Sequence, residues 1–250
     1  RWPGLITITL MFLMSCFFST RTGQPSPASA NAPETEFSSA RAMSILVKIA
    51  RQAHPPGSPE HERVRGYLVD RLTTLGLDPE IQTSTSSFQR RTMARTATVR
   101  NVIARLPGTA STGAILITAH YDSRGLAVGA GDDGTGVVSI LETLRAIQTG
   151  PPLRNDVIVL FTDAEELGLL GARAFVNEHP WMEDIQLVLS FEMRGGGGPV
   201  IMVETAEDNG WIIDALQASD QYPFANAMAY EVYQRMPNDT DFTPFREAGK

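Results

Sequence analysis

The sequence predicts an α/β domain, a three-layer α/β/α sandwich around a mixed, largely parallel central sheet. Three observations carry that prediction. Mostly apolar runs recur at 114–119, 156–161 and 186–191, each the length of a strand buried on both faces. Segments with helical apolar spacing lie between and around them, and strands alternating with helices build layered sheets. The 250-residue chain is 42% hydrophobic and 20% charged, the composition of a packed globular protein.

The elements follow in order. Leu5 to Phe18 is mostly apolar and flanked by Arg1 and Arg21. A membrane span needs roughly 20 residues, so this shorter run reads as a signal-peptide core or signal anchor over 1–20. Residues 21–35, rich in Pro, Ser and Ala, read as a linker, and the body runs over 36–250. Ser38 or Ser39 caps a helix to about Gln52, with Ala42, Ile45, Leu46 and Ile49 on one face. His54-Pro-Pro-Gly-Ser-Pro59 is a turn, followed by a helix over 60–75 with Val64, Tyr67, Leu68, Leu72 and Leu75 as its stripe. His54, His61 and His179 are expected at the surface or in turns. Residues 79–90 and 95–105 form a hairpin-like strand pair. Strands over 114–119, 156–161, 186–191 and 200–203 alternate with helices over 134–148 and 165–178. Helices over 209–219 and 240–248 complete the reading.

Charge and cysteine content exclude several function classes. Net charge is −7, and the only charged residues before Glu34 are Arg1 and Arg21, so the body is more acidic still. An acidic body without a basic stripe excludes nucleic acid as the partner. The single cysteine, Cys16, excludes a disulfide framework and a cysteine-rich zinc knuckle.

Chemistry gathers where the buried strands end. The first runs into His120-Tyr-Asp122, followed by the glycine-rich loop around Asp132-Asp133; the second into Asp163-Ala-Glu165-Glu166; the third into Glu192. Ligands in open α/β sheets bind outside the carboxyl ends of strands, so four segments deliver His, Asp, Glu and Glu to one rim. One imidazole with several carboxylates suits Zn²⁺. A carboxylate between two ions can bridge them, which makes a two-metal hydrolytic site the physical reading. Of the adjacent Glu165 and Glu166, one can ligate while the other serves as general base. Asp122 is spaced to accept the imidazole N–H of His120. Asp133 is the better candidate to cap the next helix.

The ordered segments HYDSRGLAVGAGDDGTG (120–136), FTDAEELGLLGA (161–172), SFEMRGGGGPVIMVET (190–205) and NDTDFTPFREAG (238–249) resemble the di-zinc metallopeptidases of the aminopeptidase S and aminopeptidase Y type. The likeness is greatest to membrane-anchored vacuolar and endoplasmic-reticulum members. The resemblance implies a zinc-exopeptidase fold. It implies that His120 and Glu192 hold one zinc, Asp132 bridges both ions and Glu166 holds the second. Glu165 would take a proton from the attacking water and return it to the leaving amine. Asp122 would orient His120, and the Asp132–Asp133 peptide would be cis.

Arg194 is a candidate substrate contact, as is Asp241 unless it only caps the last helix. The family's second zinc also takes a histidine beyond the last segment. The histidines here are His54, His61, His120 and His179, so the catalytic domain is expected to be incomplete at its C-terminus. The resemblance makes the substrate a peptide or protein and the domain extracytoplasmic, with membrane attachment through residues 1–20. Two rivals share the fold. A glutaminyl-cyclase-like acyltransferase keeps a single zinc, which His120 and Glu192 speak against. A non-catalytic receptor-type ectodomain would have lost ligands or the base.

Overall fold

The computed structural model describes residues 2–21, 26–90, 92–193, 201–219, 225, 227–236 and 239–250. They divide into two units: 27–195 with 238–250, and 1–26 with 196–237.

The larger unit holds α2 (Ser39–Ile49), α3 (Pro59–Thr74), β1 (Glu80–Arg90), β2 (Met93–Leu106), β3 (Ala114–His120), α4 (Gly136–Gln148), β4 (Asp156–Thr162), α5 (Leu170–Glu178), β5 (Ile185–Ser190) and α8 (Phe242–Glu247). Its sheet runs β1-β2-β4-β3-β5. β3 pairs in parallel with β4 and β5, whereas β1–β2 and β2–β4 are antiparallel. The sheet is mixed, with its parallel part at the site.

Alternation along the strands makes three layers. Val157, Val159 and Phe161 of β4 pack with Ile45 and Ile49 of α2, Val64, Leu68 and Leu72 of α3, and Val137, Ile140 and Leu144 of α4. Ile158 and Leu160 face the other way, with Ile103 and Leu116, onto Phe175 of α5 and Phe245 of α8. Burying each such side chain contributes roughly 1.5–3 kcal/mol, so a one-residue register slip would expose a whole face. Ser38 and Ser58 cap α2 and α3 by accepting the amides of Arg41 and His61.

β2 pairs with β4 only from Val102 onward, Val102 standing opposite Phe161. The β1–β2 hairpin therefore continues past the end of β4. From Val99 to Met93 this arm reaches on the order of 20 Å at strand rise. Because β2 runs against β4, the arm rises at the carboxyl ends of the parallel strands.

The smaller unit contains α1 (Trp2–Arg21), α6 (Gly210–Ser219) and α7 (Ala227–Tyr233). Among the described residues no helix is long and apolar enough to cross a membrane.

Three expectations change. The helix expected over 165–178 starts at Leu170, after a single 3-10 turn at Glu165–Leu167. Gly168 at φ 118° and Leu169 at φ 60° interrupt it, and such backbone cannot continue a right-handed helix. The strand expected over 200–203 is an isolated parallel bridge between Met202 and Ala225. α7 has no counterpart in the sequence reading.

Candidate metal centre

Three parallel strands ending at one rim bring the strand-end residues together. His120 is the last residue of β3, Glu165 follows β4 and Glu192 follows β5. One ligand atom from each of His120, Asp132 and Glu192 lies within 4.8 Å of the others. His120 Nε2 stands 2.9 Å from Asp132 Oδ1.

The loop before α4 is built around Asp133. The Asp132–Asp133 peptide is cis. The buried Asp133 carboxylate accepts the His120 amide at 3.2 Å and the Gly136 amide at 3.2 Å. It thereby ties the loop to β3 and starts α4. A side chain at position 136 would strike this carboxylate, which is why glycine stands there. Burial pushes the Asp133 carboxyl well above the usual range.

Asp122 acts differently from the expectation. Its backbone carbonyl is the nearer acceptor for His120 Nδ1, at 3.0 Å against 3.4 Å for its carboxylate Oδ1. The carboxylate instead accepts the amides of Glu165 at 2.9 Å and Glu166 at 3.3 Å. One residue thus fixes the His120 ring and holds the turn that presents both glutamates.

The electrostatics are those of too many acids in too little water. Burial pushes Glu165 up to about 9, with Asp241, Glu192 and Asp122 adding repulsion. Burial, then Asp132 and Asp241, takes Glu192 to about 7. Burial opposes the charged form of His120, but Asp122 and Asp132 more than offset it, so its pKa lies well above the usual imidazole value. Glu166 is raised by burial, while Arg124 Nε, 2.6 Å from its Oε2, holds it down in part.

Asp241 is 2% exposed and accepts the Thr162 hydroxyl. Burial takes it to about 6. It neither reaches solvent nor makes a side-chain cap hydrogen bond to α8, although it occupies the cap position. Arg194 lies outside the described residues.

The three histidines expected at the surface or in turns are all buried, at 1%, 2% and 9% exposure for His54, His61 and His179. His61 matters to the site. Its ring stacks on Tyr121 at 4.7 Å and 9°, and its Nε2 is 3.0 Å from Asp163 Oδ1. Asp163 Oδ2 accepts the Arg100 amide at 2.7 Å, and its own amide donates to Asn101 Oδ1 at 3.0 Å. His61 therefore braces the strand end two residues before Glu165. The signal was available: His61 sits three residues before Val64, on the buried face of α3.

The residues fit a zinc ion. An imidazole nitrogen and two carboxylate oxygens converge, and raised acids around them mark a site short of positive charge. Endoplasmic reticulum metallopeptidase 1 of Mus musculus is 35% identical over 155 residues, 60% of this chain, and the chain spans 17% of that relative's length. In fold, the chain is similar to a zinc aminopeptidase from Bacillus subtilis, with TM-score 0.69, 14% identity, and 87% and 84% of the two chains covered. It is likewise similar to Porphyromonas gingivalis glutaminyl cyclase, with TM-score 0.68, 23% identity, and 84% and 79% covered. The Peptidase family M28 model matches residues 101–250, which include every acid and the histidine of the centre. The chain belongs to peptidase family M28.

Proposed function

We propose that this chain is a zinc-dependent aminopeptidase with Glu165 as its general base. The observation that carries the reading is the half-buried Glu165 carboxyl, poised beside the His120–Asp132–Glu192 cluster on a turn fixed by Asp122. Zinc held there would supply Lewis acidity to a peptide carbonyl and to water. His120 and Glu192 would hold one ion, Asp132 would be shared, and Glu166 would serve a second. Glu165 would accept the water's proton and pass it to the departing amine. Asp122 would keep His120 and both glutamates in register. The peptide substrate, an exported or lumenal location and attachment through the N-terminal segment belong to the same reading.

The test is Glu165→Gln in the zinc-loaded chain, assayed on unblocked and N-acetylated peptides. Hydrolysis is expected to fall roughly 10²–10⁴-fold with zinc content unchanged, and only unblocked peptides should be cleaved. Full activity in the variant would overturn the role of Glu165, and equal cleavage of acetylated peptides would overturn the aminopeptidase reading. The likeness to a glutaminyl cyclase favours one second reading. Cyclisation of an N-terminal Gln peptide without chain cleavage would select it.

A further inference from the structure

We infer that Arg95 and Arg124 form a carboxylate-binding subsite beside the reactive centre, selecting peptides that carry an acidic side chain or a free C-terminal carboxylate there. The inference rests on the proposed peptidase activity and names its substrate class.

A cavity of about 290 Å³ opens against Glu165 and Glu166. That is close to the lower bound of small-ligand pockets, room for roughly one residue. Phe88, Met93 and Leu169 supply apolar wall, and Arg95, Arg124 and Asp239 line it too.

The hairpin arm brings its share by strand geometry. Phe88 stands opposite Arg95 in the register, and Met93 is two residues from Arg95, so all three lie on one face of the arm. Phe88 is fixed there, because the Arg173 guanidinium sits 4.6 Å over its ring and the absent side chain of Gly168 leaves it space. Arg124 comes from another element, the loop after β3.

Both cations have capacity to spare. Among the described residues Arg95 has no carboxylate partner, and Arg124 uses only Nε, toward Glu166. The Arg124 side chain is 75% exposed, so its outer fork faces the opening. Were Glu166 to hold a metal ion, Arg124 Nε would be freed as well. A planar guanidinium takes a carboxylate through two parallel hydrogen bonds, which a neutral amide cannot match. Asp239 and Glu165 disfavour an anion nearer the centre, so the carboxylate belongs at the arginine side of the cavity.

The zinc-loaded chain is assayed with four peptides of one body, having Glu or Gln next to the cleaved bond and a free or amidated C-terminus. The carboxylate-bearing members are expected to lead their neutral counterparts roughly tenfold in kcat/KM, mainly through KM. A preference confined to the Glu pair identifies the side chain as the source; one confined to the free terminus identifies the chain end. The ratio should approach one in R95Q/R124Q and invert in R95E. Equal rates for all four peptides, or a preference that survives in R95Q/R124Q, would overturn the subsite. If no peptide is cleaved, the proposed activity fails separately. Calorimetric binding of the same four peptides then decides the subsite by the same ratios.

Discussion

At the scale of single residues, the centre is held in a protonated form that a metal ion must displace. Burial and the neighbouring acids put Glu192 at about 7, and the acids lift His120 well above its ordinary value. A ligating carboxylate must be ionised and a ligating imidazole neutral, so binding releases protons. Zinc affinity is therefore expected to rise as pH increases from 6 to 8, with proton release visible as a buffer-dependent heat of binding. An affinity flat across that range would contradict the ligand roles of both residues. Asp122→Ala should weaken zinc binding about 10–100-fold by freeing the ring and the glutamate turn, measured by competition with a metallochromic chelator. His120, Asp132, Glu165 and Glu192 were legible in the sequence because each directly follows, or loops back to, an apolar strand whose end is fixed by local pattern. The second task of Asp122, holding the turn of another strand, was not legible. Nor was the stacking of His61 on Tyr121, although its place on the buried face of α3 was. Both depend on segments brought together only by the sheet.

At the scale of elements, two arginines reach out to the segment ahead of α2. The Glu142 carboxylate, 2% exposed, accepts Arg41 Nε at 2.8 Å, Arg145 Nε at 2.9 Å and the Ser38 amide at 3.0 Å. With its position thus fixed, Arg41 donates to the carbonyls of Ala30, Ala32 and Glu36, and Arg145 to those of Glu34 and Glu36. Residues 28–36, largely within the stretch read as linker, are strapped onto α2 and α4. Composition could not report this, because the strap is held through its carbonyls, which every residue type carries. Burial alone would raise the Glu142 carboxyl, but hydrogen bonds from Arg145, Arg41 and Ser38 outweigh it and leave the pKa below the ordinary 4.5. Its stabilisation is therefore complete above about pH 4.5 and lost as pH falls through the lowered folded value. Glu142→Ala should cost about 2–3 kcal/mol, less than a fully buried pair because both guanidiniums are 22% exposed. Denaturant unfolding would measure it, and limited proteolysis should open new cuts within 28–36. An unchanged midpoint and digestion pattern would rule out the strap. The interrupted helix at 165–170 escaped the sequence for a related reason: the left-handed turn at Leu169 belongs to a residue that ordinarily propagates helices.

At the scale of the molecule, the two apolar faces of the sheet were legible from alternation, and with them the layers. The acids at the rim oppose that stability, since each is a carboxyl moved from water into protein with too few cations nearby. Zinc at about a hundred times its dissociation constant should add about 2.7 kcal/mol. That raises Tm by several degrees for a unit of this size, and a chelator should reverse it. No shift with zinc in a scanning melt would mean that these side chains do not form a metal site. The hairpin arm carries a different consequence, one of design space. Its base is fastened at Arg100 and Asn101 to the strand end beside the glutamates, while Phe88, Met93 and Arg95 ride on its outer reach. Strand side chains alternate with a period of two, so lengthening both strands by a pair of residues moves the wall outward and keeps every face. An odd insertion turns the same wall inside out. The hairpin is a ruler marked in twos, by which the width of the cleft can drift while the chemistry beneath it stays fixed.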